Sequence, residues 1–157
     1  MTDAGPRQAA QRISDTLAKL EAHHEDVWVA TAGEGSEGPR PHLVPLSLAW
    51  IDGCVVVALR SDSVTARNIA ATGTARLALG PTRDVVVIDA VAVATVAVDA
   101  DPELAARYAA QADWDPSGEP EGYCFIRLRP VRVQAWRESD ELAGRTLMRR
   151  GEWVPPD

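Results

Sequence analysis

The chain has 157 residues, 46% hydrophobic and 25% charged, enough for one domain with a core of its own. Its net charge of −7 argues against nucleic acid or an anionic membrane surface as the main partner. Two cysteines without metal spacing exclude a disulfide framework and a zinc module, and a reducing, cytoplasmic setting is expected.

The start is polar and helix-forming and does not read as a secretory leader. After a loose tail, Pro6 can open a helix in which Ile13, Leu17 and Leu20 form one apolar stripe, expected to lie across the mouth of the core. His23 and His24 close it, where cations favour a helix C-terminus, so capping is preferred to metal binding. Residues 27–32 read as a strand, residues 33–39 as a glycine-rich turn too irregular for a dinucleotide fingerprint, and residues 40–50 as a second strand. Pro41 and Pro45 each lack a ladder donor, which puts that strand at an edge or gives it a bulge. Asp52-Gly53 is a hairpin turn into the run Val55-Val56-Val57-Ala58-Leu59.

Arg60-Ser61-Asp62-Ser63 then forms a turn whose Asp and Ser suit a helix N-cap, with a helix over residues 64–72 ended by Gly73. A helix N-terminus carries unpaired N–H groups and partial positive charge, so it can seat a phosphate or serve only as a capped joint. Asp62 brings a like charge that tells against the phosphate. Residues 75–79 resume the strand, and residues 80–84 turn. Residues 85–98 are β-branched and interrupted by Asp89, too short for the ~20 residues of a membrane helix. Extended at ~3.3 Å per residue, they would span ~46 Å. A compact chain of this size has a radius of gyration near ~15 Å. The strand must therefore coil or break, as barrel strands do.

Asp101-Pro102 caps and opens a helix to about Ala112. The acidic residues 113–122 are a plain loop or a lid, with Trp114 needing something to pack on. Residues 123–136 are a long strand. Its alternation puts Tyr123, Phe125, Arg127, Arg129, Val131, Val133 and Ala135 on one face, and Cys124, Ile126, Leu128, Pro130, Arg132, Gln134 and Trp136 on the other. Both cysteines fall in strand-like runs and read as buried thiols. A loop over residues 138–144 and a short strand within residues 146–154 complete the chain. No G-x-S-x-G turn, H-E-x-x-H motif or P-loop is present. Such a chain suits a protein that orients a cofactor carrying the chemistry.

Three segments in order resemble one family. The run SDSVTARNIAATGTARLAL resembles the S-x-K-x-x-N-L-x-x-x-P-x-V-x-L segment of the pyridoxamine-phosphate-oxidase-like split-barrel proteins, whose members include flavin- and deazaflavin-dependent oxidoreductases. Pro41-His42-Leu43-Val44-Pro45-Leu46 resembles their P-H-x-V-P-V strand, and Arg129-Pro130-Val131-Arg132-Val133-Gln134-Ala135-Trp136 their closing strand. Thr65 stands where the family has lysine, and Gly73-Thr74 where it often has proline. The resemblance implies a mainly β fold with short helices, a homodimeric split β-barrel of the FMN-binding type. The resemblance covers most of residues 26–137, within a single domain over residues 1–157 that has an N-terminal helix (1–24), a barrel (26–137) and a C-terminal extension (138–157). It further implies that FMN or the deazaflavin F420 lies at the dimer groove and exchanges a hydride with a small organic substrate. Arg60, Ser63, Thr65, Arg67 and Asn68 would hold the phosphate or its linker, His42, Val44, Pro45 and Leu46 would line the ring, and Trp136 would come from the other subunit. For His42 a core hydrogen bond remains the alternative role. The R-x-H-x-R pattern of true oxidases does not follow Trp136-Arg137, so pyridoxamine-phosphate oxidation itself is not expected. The alternative from another class is a non-catalytic module that stores or senses a flavin or haem.

Overall fold

The computed structural model describes residues 5–155. Eight strands and three α-helices follow in the order α1 (Ala9–Glu21), β1 (Asp26–Gly35), β2 (Gly38–Ile51), β3 (Cys54–Arg60), α2 (Val64–Thr72), β4 (Thr74–Leu79), β5 (Val85–Ala97), α3 (Pro102–Gln111), β6 (Tyr123–Trp136), β7 (Thr146–Arg149) and β8 (Glu152–Trp153). The strands form one antiparallel sheet in the order β3-β2-β1-β4-β5-β6-β7-β8. A further β3–β6 pairing closes the first six into a barrel.

Local chemistry sets most boundaries. Ser63 caps α2, its Oγ accepting from Ala66 N at 3.2 Å, and Gly73 ends that helix at φ 72°. Asp101 caps α3 through Leu104 N at 3.0 Å, with Pro102 in the first turn. Asp52 and Gly53, at φ 52° and 73°, make the turn between β2 and β3. Strands β1 and β2 run further than their composition suggests, because only Ser36 and Glu37 are needed to turn the chain. Pro41 and Pro45 lie in the half of β2 that pairs with β1 alone, where a missing ladder donor costs little.

The barrel interior holds Val29, Leu48, Val55, Val57, Leu77, Ile88, Ile126 and Leu128, with Ala66 and Ile69 of α2 and Leu20 of α1 entering it. A second cluster lies outside the barrel wall. There α3 packs Leu104, Ala105 and Tyr108 against Ala49, Ile51, Val56, Ala58 and Phe125. Strand β3 is therefore covered on both faces, which accounts for its unbroken apolar run. Cys54 and Cys124 are free, buried thiols.

Four features depart from the sequence reading. The alternation along β6 changes phase: Cys124, Ile126 and Leu128 point inward, and then Val133 and Ala135 do. The cause is a bulge, since Asp89 pairs with Arg132 and Ala90 with Pro130, leaving Val131 unpaired. A second register shift between Ala92 and Ala94 coils the other end of β5. The C-terminus of α1 is capped by Gln111 rather than by histidine. Gln111 Nε2 donates to the carbonyls of Leu20 (2.7 Å) and Ala22 (3.2 Å), while His24 sits in a positive-φ turn with Nδ1 3.2 Å from Asp113. The buried side of α1 is Arg12, Thr16 and Leu20, so Leu20 is the one member of the expected stripe that is fully enclosed. The C-terminal segment is a hairpin of β7 and β8. Among the described residues no helix is long and apolar enough to cross a membrane.

Candidate functional site

The joint between β3 and α2 is held from two sides. Arg60 Nε and Nη2 grip Asp62 Oδ1 and Oδ2, each at 2.9 Å. This bidentate bond holds the Asp62 carboxyl below the usual carboxylate range and raises the guanidinium. Ser61 ties the turn to the loop before β6, its N–H donating to Gly122 O at 2.8 Å and its Oγ to the same carbonyl at 3.0 Å. Ser63 Oγ is spent on the cap. Among the described residues no protein acceptor engages the N–H groups of Val64 and Thr65, and the exposed Arg67 has no ion-pair partner. The Thr65 side chain is 2% exposed and turned into the fold. The groups left available to an anion are thus the Val64 amide and Arg67, with Arg60 already balanced by Asp62.

One turn along α2, Asn68 Nδ2 donates to Thr31 Oγ1 at 3.1 Å. Thr31 is the register partner of His42 across β1 and β2. The β2 alternation places His42, Val44 and Leu46 on one half-buried side, Val44 and Leu46 packing on the barrel interior. Pro45 lies on the opposite, outward side with Leu43, beside Trp28. Leu43 is 58% and Trp28 50% exposed, large apolar groups on one outer sheet face. The structure therefore gathers His42, Thr31 and Asn68 at the α2 edge and sets Pro45 apart. A recess of 490 Å³ opens beside Thr31, bordered by Thr72, Thr74, Arg76 and Asp89.

Trp136 ends β6 opposite Val85. The Arg145 guanidinium stands 5.4 Å from the centre of the indole. With its amide oriented by these neighbours, Gln134 accepts from Arg145 Nε at 3.2 Å and Arg132 Nη2 at 3.0 Å. Arg132 is also paired in register with Arg149. Arg132 also faces a carboxylate, its Nη1 lying 3.7 Å from Asp89.

The acidic loop at residues 113–122 is anchored by Trp114, whose ring meets Tyr123 edge-on at 5.7 Å between centres. Between the loop and the ends of β5 and β6 lies a cleft of 640 Å³, lined by Ser61, Ala97, Asp99, Glu119, Glu121 and Tyr123. Among the described residues no group of three His, Cys, Asp or Glu side chains is placed to hold a metal ion.

Sequence reasoning missed Thr31, Gly33, Gln134 and Arg145. The register of the first hairpin would have revealed Thr31 opposite His42, but that needs the turn located to the residue. Arg145 reaches Trp136 only through the fold of the C-terminal hairpin.

No protein-family model matches the sequence, and no curated protein matches it. Solved structures match in fold. An F420 reductase superposes with a TM-score of 0.56 at 16% identity, over 74% of this chain and 94% of that one. A pyridoxamine 5′-phosphate oxidase-related, FMN-binding protein from Nostoc punctiforme gives 0.52 at 16% identity, over 81% and 78%. A heme-binding protein from Mycobacterium smegmatis gives 0.61 at 18% identity, over 89% of this chain and 57% of that one. The fold is that of the FMN-binding split-barrel proteins.

Proposed function

We propose that two copies of this chain hold a flavin-type redox cofactor, FMN or F420, in a groove between them, and that a hydride passes between its ring and a small organic substrate. The observation that carries this reading is the β3–α2 joint. The exposed amide of Val64 at a helix N-terminus and Arg67, which has no ion-pair partner among the described residues, lie at a strand–helix turn of this fold, a donor set suited to an anionic tail. The one carboxylate in the turn, Asp62, is balanced by Arg60, so the joint presents no net negative charge to such a group.

When bound, the cofactor supplies the hydride chemistry. The chain's part is to bind and orient. Arg67 and the Val64 amide would take the anion, and Asn68, fixed by Thr31, would stand beside its linker. His42, with Val44 and Leu46 behind it, would border the ring. The exposed Trp28 and Leu43 would be covered by the second copy, removing a large apolar patch from water, and Trp136 with Arg145 would complete the groove from across the interface.

Titration of the purified protein with FMN and F420 in parallel, followed by absorbance and fluorescence, tests the proposal. Submicromolar binding of one of them, with bleaching on chemical reduction by dithionite and recovery of colour on adding candidate acceptors, is the expected result; binding of neither overturns it. A non-catalytic module for a flavin or haem is the second reading. It is supported by the likeness in fold to the heme-binding protein, and tight binding without turnover across a broad acceptor panel would decide for it.

A further inference from the structure

A buried carboxylate links the N-terminal arm to the indole that the proposed groove uses. Glu141 is 2% exposed and sits in the short 3-10 turn Ser139–Glu141. Its oxygens take four donors: Arg7 N at 3.0 Å, Arg7 Nε at 2.9 Å, Arg7 Nη2 at 2.7 Å and Arg137 N at 2.8 Å. A carboxylate has about four lone-pair positions, so this one is saturated. Arg137 directly follows Trp136. On the other side of the loop, Arg145 lies over the indole, and its carbonyl accepts from Ala135 N at 3.0 Å. Residues 137–145 are thereby closed into a loop pinned at both ends beside Trp136, with the arm as one of the pins.

An apolar pair of equal volume is often as stabilising as a buried ion pair; what the ion pair adds is directional geometry. Here that geometry is spent at a peptide bond next to a site residue rather than in the barrel interior. We infer that Glu141 and Arg7 are positioning residues: the arm fixes the loop at 137–145, and through it the orientation of the Trp136 indole and its Arg145 cover. The inference rests on the reading of Trp136 as a wall of the cofactor groove. The arm then governs ligand affinity without touching the ligand.

The test uses the full chain labelled with 5-fluorotryptophan, the Trp136 fluorine line being assigned with Trp136→Phe. In Glu141→Gln and Arg7→Gln the Trp136 line shifts or broadens, the Trp114 line stays in place, and circular dichroism matches the parent. FMN and F420 titrated in parallel bind roughly fivefold or more weakly to the variants than to the parent. An unmoved Trp136 line in a folded variant overturns the inference, and so does unchanged affinity. Should Glu141→Gln fail to fold, Arg7→Gln, which keeps the bond between Glu141 and Arg137, carries the test. If the parent binds neither cofactor, the groove reading fails on its own, while the fluorine line still decides whether the pair orients the indole.

Discussion

Asn68 occupies the space that a side chain on Gly33 would need: a Cβ built there overlaps Asn68 Oδ1. The Asn68 amide is held in that place by its bond to Thr31. Gly33 thus serves close approach of β1 to α2 rather than an unusual backbone angle. Gly33→Ala forces Asn68 to turn and give up Thr31, and thermal denaturation is expected to report a loss of about 1–2 kcal/mol. In an Asn68→Ala background the same substitution costs much less, because the overlapping atoms are gone. Equal costs in both backgrounds would show that the two residues do not compete for space.

Arg60 and Asp62 neutralise one another, whereas Arg67 has no ion-pair partner among the described residues. Arg67→Ala is expected to weaken binding of the anionic cofactor about tenfold, as loss of one charge-assisted bond does. Asp62→Asn releases the Arg60 guanidinium and should tighten binding, while Arg60→Ala leaves Asp62 unopposed and should weaken it. Titration of the three variants checks the set. Tighter binding by Arg60→Ala would remove this corner from the proposed site.

The Arg7 hydrogen bonds hold the Glu141 carboxyl down at about 2, below the ordinary 4.5, and outweigh the opposing effect of burial. A depressed carboxyl pKa means that the unfolded chain takes up the proton first. The stabilisation is therefore complete above about pH 4.5 and is lost as pH falls toward 2, and it amounts to roughly 3 kcal/mol. Asp84 lies in the same cluster and moves in the same direction, its burial outweighed by Lys19 and by Arg7 and Arg137. Urea denaturation across pH 2–7 should show the parent losing stability through this window. Glu141→Gln should start lower at pH 7 and fall with a shallower slope; parallel curves would place the acid sensitivity elsewhere.

Trp28 and Leu43 stand on one outward sheet face with Pro45. If a second copy covers this face, Trp28→Asp and Leu43→Asp should each give a monomer by sedimentation while the barrel signature in circular dichroism persists. Cofactor affinity should fall with the dimer, since Trp136 would no longer be supplied from across the interface. A parent chain that is itself monomeric at micromolar concentration would exclude the shared groove.

Much of the fold was legible because its causes are local. Ser63, Gly73, Asp101-Pro102 and Asp52-Gly53 mark boundaries through bonds within a few residues, and these stand in the structure as read. The length of β5 against the size of the chain foretold coiling, and the two bulges supply it. For the candidate site the motifs named residues, but how those residues are arranged was not legible. Which side of its strand a motif residue takes depends on register: His42, Val44 and Leu46 share a side, Pro45 does not, and Thr65 is enclosed.

The sequence by itself determined where helices start and stop, where the chain turns, and that the strands had to curve, since each follows from neighbours along the chain. Only the tertiary structure decided which faces are covered and which charges meet. The phase change at Val131 needs β5 as the facing ladder, and the double burial of β3 needs α3 from a later segment. The Thr31–Asn68 bond joins residues 37 apart and the Arg7–Glu141 pair residues 134 apart. A linear pattern carries the period of a strand, but it does not carry the identity of what packs against it.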